Sequence, residues 1–570
     1  MMSKLATGLC VSVIAAALNL GLNTFVVGQD WFSDASSSSG IEFQHTTGSK
    51  GQYYVVEPFG SGIAIFDFDG DGFEDIYFLN GRTLPAEGKG WFDPVTNDSP
   101  RNVLYRNNGN FTFTDVSQES GLDDAGYSLG VVCGDIDNDG DMDVYVSNFG
   151  PNRLYFNQGD GTFTEASQWA RVDGGREFGA GVAMFDMEGD GDLDLYAANY
   201  QQFNFEDHMK RFIGKHQFHP GPLDYPPQPD RLYRNDGDGK FTDVSESSGV
   251  SAVAGTGMGV IAADIDQDGD CDILVANDTK PNFVLLNDGK GFFTEQAILS
   301  GMALDGNGKT NGNMGIELRD LDGDGLLDCF TTTYQDEMPV LYLNFGGGTF
   351  ADDTNRARID RKLFAHVHWG VGLVDFDNDR LTDIFVACGH FMDNIAAVRD
   401  TTKVNVENYL LHNQGDMRFS RIEGDDANVL STRASSRAAA FSDLDNDGDA
   451  DIVVMNAQDR PTVMRSLVKD RIATENHWIK LRLIGSDSNR DAAGATVTLS
   501  RPKDSDGQQT AAVHLGRGYQ SHYGVLLHFG LGESDGPVHA SVAWPSGVKT
   551  THVLSELDQV HILREEASSE

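Results

Sequence analysis

One acidic nonapeptide recurs seven times in this 570-residue chain, starting at Asp67, Asp135, Asp186, Asp264, Asp320, Asp375 and Asp443. In the form DxDxDGxxD it offers side-chain oxygens at positions 1, 3, 5 and 9, with glycine at 6 where the loop must turn sharply. A hard divalent cation of calcium's size needs that arrangement of oxygens. Copies spaced 51 to 78 residues apart define a repeat fold, in which each unit buries its apolar surface against its neighbours.

The expected calcium ligands are Asp67, Asp69, Asp71 and Asp75 in the first loop and Asp135, Asp137, Asp139 and Asp143 in the second. The third offers Asp186, Glu188, Asp190 and Asp194, and the fourth Asp264, Asp266, Asp268 and Asp272. Asp320, Asp322, Asp324 and Asp328 serve the fifth, Asp375, Asp377, Asp379 and Asp383 the sixth, and Asp443, Asp445, Asp447 and Asp451 the seventh. Arg380 stands where the sixth loop's turn glycine belongs, so that site is expected to be the weakest. These are not EF-hands, because position 12 carries Phe78, Val146, Ala197, Val275, Thr331, Val386 and Val454 instead of a bidentate Glu. About seven Ca2+ ions, mainly structural, are expected. Their 28 carboxylates explain much of the net charge of −45, and the remaining acidity argues against nucleic acid or anionic membrane as partner.

A second layer of regularity surrounds each loop. Five residues before the first Asp stands Gly62, Gly130, Gly181, Gly259, Gly315 or Gly370, with Ala438 in the last copy. Short apolar runs flank the loop on both sides, and segments such as LYRNNGNFTF and LYFNQGDGTF then read as strand, Asn-x-Gly turn, strand. Each unit therefore holds four short antiparallel strands, which predicts an all-β fold, a seven-bladed β-propeller with calcium-binding loops. A β-solenoid would use much shorter coils. The small residue at −5 fits innermost strands that converge on an axis. Repeats end in FTDVSQESGL-like segments, the seventh lacks one, and WFSDASSSSGI near the N-terminus resembles it. The stretch from about Phe32 to Ile41 is thus expected to complete the last blade and close the ring.

After about Asn476 the acidic loops stop and short alternating runs such as NHWIKLRLIG predict a small antiparallel β-sandwich-like domain. The expected organisation is a signal peptide over residues 1–28, the propeller over 30–470 and the second domain over 475–566. The leader implies a secreted, periplasmic or cell-surface location and, unless it is kept as an uncleaved anchor, leaves no membrane span in the mature chain. Cys133, Cys271, Cys329 and Cys388 lie in different repeats without CxxC spacing, so neither disulfide nor zinc site is expected.

Function is expected on the face away from the acidic loops. Three insertions follow the second strand of a unit: Asp75 to Asn102 takes 27 residues, Asp194 to Asp230 takes 36, and Asp383 to Asn408 takes 25. Since the strands flanking each loop are antiparallel, all three emerge on the opposite face, where long loops on a rigid scaffold serve binding. Candidate ligand-facing residues there are Trp91, Phe203, Phe212, His216, His219, His366, His368 and His390. The aromatic rings could stack on sugars or anchor a protein, and the imidazoles could hold a metal or act as a general base. No Ser-His-Asp order, phosphate loop or haem motif is visible, so no catalytic residue is assigned.

At this level of detail the repeats resemble the FG-GAP or VCBS repeats of integrin-type propellers. The tail, with Asn476, His477 and Trp478, Arg517, Gly518 and Tyr519, and Trp544, Pro545, Ser546 and Gly547, resembles the ASPIC/UnbV domain. The combination is similar to the cartilage acidic protein family. That resemblance implies calcium binding by the residues named above and a non-catalytic extracellular binding or adhesion role toward protein or polysaccharide. The alternative is a secreted enzyme, such as one acting on polysaccharide, with the histidine-bearing insertion face as its site.

Overall fold

The computed structural model describes residues 31–566 except 88, 238, 424–427, 472–474, 502–506 and 534–535. The leader expected over residues 1–28 lies outside the described residues, as does Cys10. Among the described residues no helix is long and apolar enough to cross a membrane.

Seven four-stranded antiparallel sheets fill the repeat region, and each follows the chain order from inside to outside apart from the last. The first consists of Ile63–Phe66, Asp75–Phe78, Val103–Asn107 and Phe113–Asp115. Innermost strands of successive sheets lie against one another, and Ser436–Ser442 of the last sheet lies against Ile63–Phe66 of the first, so the ring closes. The closing strand is Phe32–Asp34, which pairs antiparallel with Thr462–Ser466 in the register Phe32↔Ser466. The N-terminal stretch therefore completes the last sheet, as its likeness to the repeat endings predicts.

The small residue five positions before each loop has a steric cause. A Cβ on Gly315 would stand 2.4 Å from the carbonyl oxygen of Trp369 in the next innermost strand, and one on Gly181 would stand 2.5 Å from that of Met258. No side chain fits between backbones that close.

Two further sheets form the C-terminal unit. Gln509–Ala512, Thr496–Ser500, Val538–Ala543 and Lys549–Leu554 make one, and Leu527–Gly532, His477–Ile484 and Gln559–Arg564 make the other. Ile479, Leu481, Val497, Phe529, Val542 and Trp544 share one core between them, so the unit is a sandwich. It is not wholly antiparallel: His477–Ile484 and Gln559–Arg564 pair in parallel. Parallel neighbours require a long crossover, and here it contains the whole four-stranded sheet.

This unit is not a separate appendage. It docks on the acidic-loop face of the ring and sends the segment from His514 to Tyr523 into the central channel. Every residue of that segment is buried. Its Leu515, Gly518, Gln520 and His522 exchange backbone hydrogen bonds with Met184, Ile316, Val131 and both Ile63 and Ile65. His514 Nδ1 lies 2.9 Å from the Ala262 carbonyl oxygen, the Tyr523 hydroxyl oxygen stands 3.1 Å from that of Val371, and the Tyr523 ring meets Phe441 at 5.2 Å. All seven innermost strands are thereby engaged. Their inner edges would otherwise leave backbone polar groups unpaired in the channel, and the inserted segment satisfies many of them.

Candidate metal centres and the opposite face

The seven acidic loops share one hydrogen-bond pattern. The position-1 carboxylate accepts the backbone N–H of position 6 at 2.7–3.1 Å. The position-9 carboxylate accepts the N–H of position 2 at 2.8–3.3 Å. Its other oxygen accepts an N–H from the third strand at 2.7–2.9 Å, as Asp75 does from Asn107 and Asp451 from Ser466. These bonds aim the remaining lone pairs at one point. In at least four loops, three carboxylates offer oxygens within 4.8 Å of one another: Asp67, Asp69 and Asp71; Asp135, Asp137 and Asp143; Asp264, Asp266 and Asp272; Asp320, Asp322 and Asp328.

Two observations test whether these sites fit a divalent ion. At position 3, Glu188 Oε2, Asp377 Oδ1 and Asp445 Oδ1 are buried with no hydrogen-bond partner. Burying a carboxylate oxygen without a partner is costly, and an ion would supply the missing contact. Meanwhile burial drives the position-9 carboxyls upward despite their backbone hydrogen bonds, Asp75, Asp272 and Asp328 to about 8 and Asp143 to about 9. A dication reverses that effect by favouring the charged form. An oxygen donor set with both features suits a hard divalent cation.

Two contributors escape the DxDxDG reading. Position 4 is left-handed in every loop, with φ between 56° and 79° at Gly70, Asn138, Gly189, Gln267, Gly323, Asn378 and Asn446. Its restriction to Gly, Asn or Gln is the trace it leaves in the sequence. The Asn of the hairpin also does more than turn the chain. Asn107, Asn157, Asn235, Asn287 and Asn344 donate through Nδ2 to a position-2 carbonyl in the preceding unit, at 2.7–3.1 Å, with Asn107 reaching Leu444 around the closure. Each staples one loop to the next.

Arg380 keeps the left-handed turn with φ 84° and donates its N–H to Asp375. Its side chain lies against Gly532 of the C-terminal unit, which gives the departure from glycine a packing role. That unit touches other loops as well. Lys480 Nζ stands 2.5 Å from Asp443 Oδ2, and Asp491 accepts the Asp135 N–H at 2.7 Å. The C-terminal unit therefore packs against part of the acidic-loop face, while Asp69, Asp71, Asp137, Asp139 and Asp268 stay exposed.

The three insertions do meet on the other face. Lys210 pairs with Glu87 at 2.9 Å, Asn394 donates to the Gln217 carbonyl at 2.8 Å, and the His219 ring meets Phe391 at 5.8 Å. Most of their aromatic rings are inward. Phe203 is buried against Phe205 and Tyr225, at 5.6 and 5.2 Å, and half-buried Trp91 packs on Phe92 and Phe149 under the Arg176 guanidinium. Neither presents a free ring to a ligand, because both pack into one core with Tyr54 and Phe149. Phe212 differs: it is 58% exposed at the tip of the hairpin Arg211–Ile213 and His216–Phe218, beside exposed Ile213 and Leu223.

His219 and His390 both pack on the Phe391 ring, at 5.8 and 5.1 Å, but each candidate histidine has partners of its own. His216 is half-buried in that hairpin and lies opposite Ile213. His219 Nε2 meets Glu57 at 3.2 Å. His366 bonds to Thr402, while His368 bonds to the Leu363 carbonyl and to Thr333. His390 bonds to Gln335 and accepts the Met392 N–H. Burial pushes the pKa of His368 down to about 4 and, with Arg437 and Arg399, that of His390 to about 3. With both ring nitrogens of His368 and His390 already engaged, neither is poised for a shared metal.

Comparison with known proteins agrees with this architecture. The FG-GAP-like repeat model matches residues 87–146, 135–197, 224–275, 264–331 and 320–386, and the ASPIC and UnbV model matches 485–570. Cartilage acidic protein 1 of Homo sapiens is 24% identical over 495 residues, covering 85% of this chain and 60% of that protein. The Mus musculus protein is 24% identical over 511 residues, covering 88% and 64%. The chain thus spans less than two thirds of these relatives' length. Among solved structures, an Agrocybe aegerita lectin that recognises non-reducing terminal N-acetylglucosamine covers 72% of this chain and 94% of its own at 18% identity and a TM-score of 0.41. The Vibrio cholerae biofilm matrix protein Bap1 covers 92% and 76% at 10% identity and a TM-score of 0.29. At those scores neither likeness bears on what this chain binds. The chain is a protein of FG-GAP-like repeats with a C-terminal ASPIC and UnbV domain, related over most of its length to cartilage acidic protein 1.

Proposed function

We propose that this is a secreted, calcium-held binding module that captures an extracellular protein or polysaccharide on its insertion face, without turning it over. Calcium in the acidic loops fixes the ring and the C-terminal unit occupies part of the loop face, so the insertion face is the one left open for a partner. The observation that carries this reading is the exposure of Phe212 and Ile213, 58% and 53%, on a hairpin held by the Arg211–Asp224 ion pair. Exposed aromatic and aliphatic side chains on a rigid base are what interface anchors require. Kinship to proteins named for cartilage fits an extracellular setting.

The test is retention of the calcium-loaded full chain on glycan and extracellular-protein arrays, repeated with Phe212→Ala and Ile213→Ala combined. Loss of retention by about 10-fold or more is expected, the cost of removing an interface anchor. Unaltered retention would exclude the hairpin tip as the docking surface.

A further inference from the structure

In each unit the residue before the end of the third strand lies beside the acidic loop. Those residues are Arg106, Phe156, Arg234, Leu286, Leu343, His412 and Arg465. Arg234 Nε approaches Glu188 at 3.8 Å and Arg465 reaches Asp445 at 2.5 Å. Arginine, leucine and phenylalanine do not ligate a cation in proteins. Only the sixth unit has a ligating side chain there. His412 Nε2 stands 3.1 Å from Asp377 Oδ2 and 3.9 Å from Asp379 Oδ2, and Asp377, Asp383 and His412 each offer an atom within 4.8 Å of the others.

We propose that the sixth loop is a mixed carboxylate–imidazole site that takes a first-row divalent transition ion such as Mn2+ or Zn2+. Imidazole nitrogen favours such ions over calcium, which prefers oxygen alone. Asp377 is 8% exposed, and its Oδ1 is buried without a hydrogen-bond partner, so an oxygen is free to complete the set. Asp383 is fully buried and held by the N–H groups of Phe376 and Asn413. The imidazole is oriented from both sides. Trp31 packs edge-on against it at 5.1 Å between ring centres, and the Gln414 amide lies 2.6 Å from Nδ1. With Nε2 committed to a metal the ring proton sits on Nδ1, and a half-turn of that amide presents its oxygen as acceptor. This assignment is independent of what binds the insertion face and of calcium in the other loops.

The experiment loads the full chain with Ca2+, adds Mn2+, removes unbound ions and reads bound Mn2+ by elemental analysis and pulsed electron paramagnetic resonance. One equivalent of retained Mn2+ with nitrogen hyperfine coupling is expected. His412→Arg and His412→Leu, which place residues found at this position in other units, should each lose that equivalent and its nitrogen coupling while keeping the same bound Ca2+. Failure of the parent to retain Mn2+, or retention without nitrogen coupling, would leave His412 as a counter-cation for Asp377 and overturn the proposal. Nitrogen coupling that survives in both variants would overturn it equally, and the parent's spectrum alone decides if a variant does not fold.

Discussion

The guanidinium of Arg517, carried by the C-terminal segment, grips the carboxylate of Glu317 on the innermost strand of the fifth sheet. Nε lies 3.1 and 3.0 Å from the two oxygens and the second nitrogen 2.6 Å from Oε1. The Tyr523 hydroxyl donates to the same carboxylate at 2.6 Å, and the guanidinium lies 4.7 Å over the Tyr523 ring. Burial opposes the charge on Arg517, but Glu317 and Tyr523 more than compensate and raise its pKa. A paired charge in the middle of the channel fixes where the inserted segment stops.

Breaking that pair should be costly. Arg517→Met leaves Glu317 buried without its partner, and a loss of about 3–5 kcal/mol is expected in urea unfolding. Adding Glu317→Leu should recover part of it, since two apolar groups can replace a buried ion pair at small net cost. An Arg517→Met protein as stable as its parent would show that the segment does not occupy the channel.

Closure of the ring can be tested at its clasp. Deleting residues 31–45 removes Phe32–Asp34 together with buried Trp31, Ile41 and Phe43, the last stacked on Phe78 at 4.9 Å. Four such side chains contribute about 1.5–3 kcal/mol each, so the melting temperature should fall by about 5–10 °C. Calorimetry of the truncated form decides, and an unshifted transition would mean that the last sheet stands without its outer strand.

Removal of calcium should act on every sheet at once. Each loop whose ion is present at about 100 times its dissociation constant gains about 2.7 kcal/mol. Chelation is therefore expected to lower the melting temperature by about 10 °C or more, and Asp328→Asn to remove one equivalent of bound calcium. Asp328 is fully buried at position 9, where its carboxylate also ties the loop to Leu321 and Asn344. A melting curve indifferent to chelator would show that the carboxylates hold no structural ion.

The ring was legible because it repeats. The carboxylates and the glycine at −5 keep constant offsets within each loop, the FTDVS endings keep one from the hairpin Asn, and a constant offset reports a constant environment. The common face of the insertions followed from strand direction alone. What stayed hidden occurs once. Nothing in the sequence of His514 to Tyr523 marks it as a channel insert, although Gly516 would place a Cβ 2.0 Å from the Val182 carbonyl. The aromatic residues of the insertions misled for a related reason: nothing local distinguishes Phe203, which is buried in the core, from Phe212, which stands in solvent. His412 was hidden in a strand that in six other units carries no ligating side chain at this position.

Acid sensitivity should trace in part to His522. Both of its ring nitrogens are buried without a partner, and burial, reinforced by the positive charges of Arg517 and Arg482, pushes its pKa from 6.5 to about 3. His45, His390, His514 and His528 are also pushed to about 3, in each case first by burial. Folded, His522 stays neutral above about pH 3, whereas the unfolded chain takes up its proton below about 6.5. The unfolded state thus holds the extra proton between those values, and stability falls as pH drops from about 6.5 toward 3, by about 1.4 kcal/mol per pH unit for each such imidazole. Above about 6.5 this group costs nothing through titration. His522→Leu removes the unpartnered polar atoms, so at pH 7.5 it should be as stable as the parent or more so by about 1 kcal/mol. Between about pH 6.5 and 5 its stability should fall less steeply than the parent's, by about one proton's worth. Urea unfolding of both proteins across that range isolates the effect, because both carry the same acidic loops. Parallel pH profiles would mean that this imidazole is solvated in the folded ring.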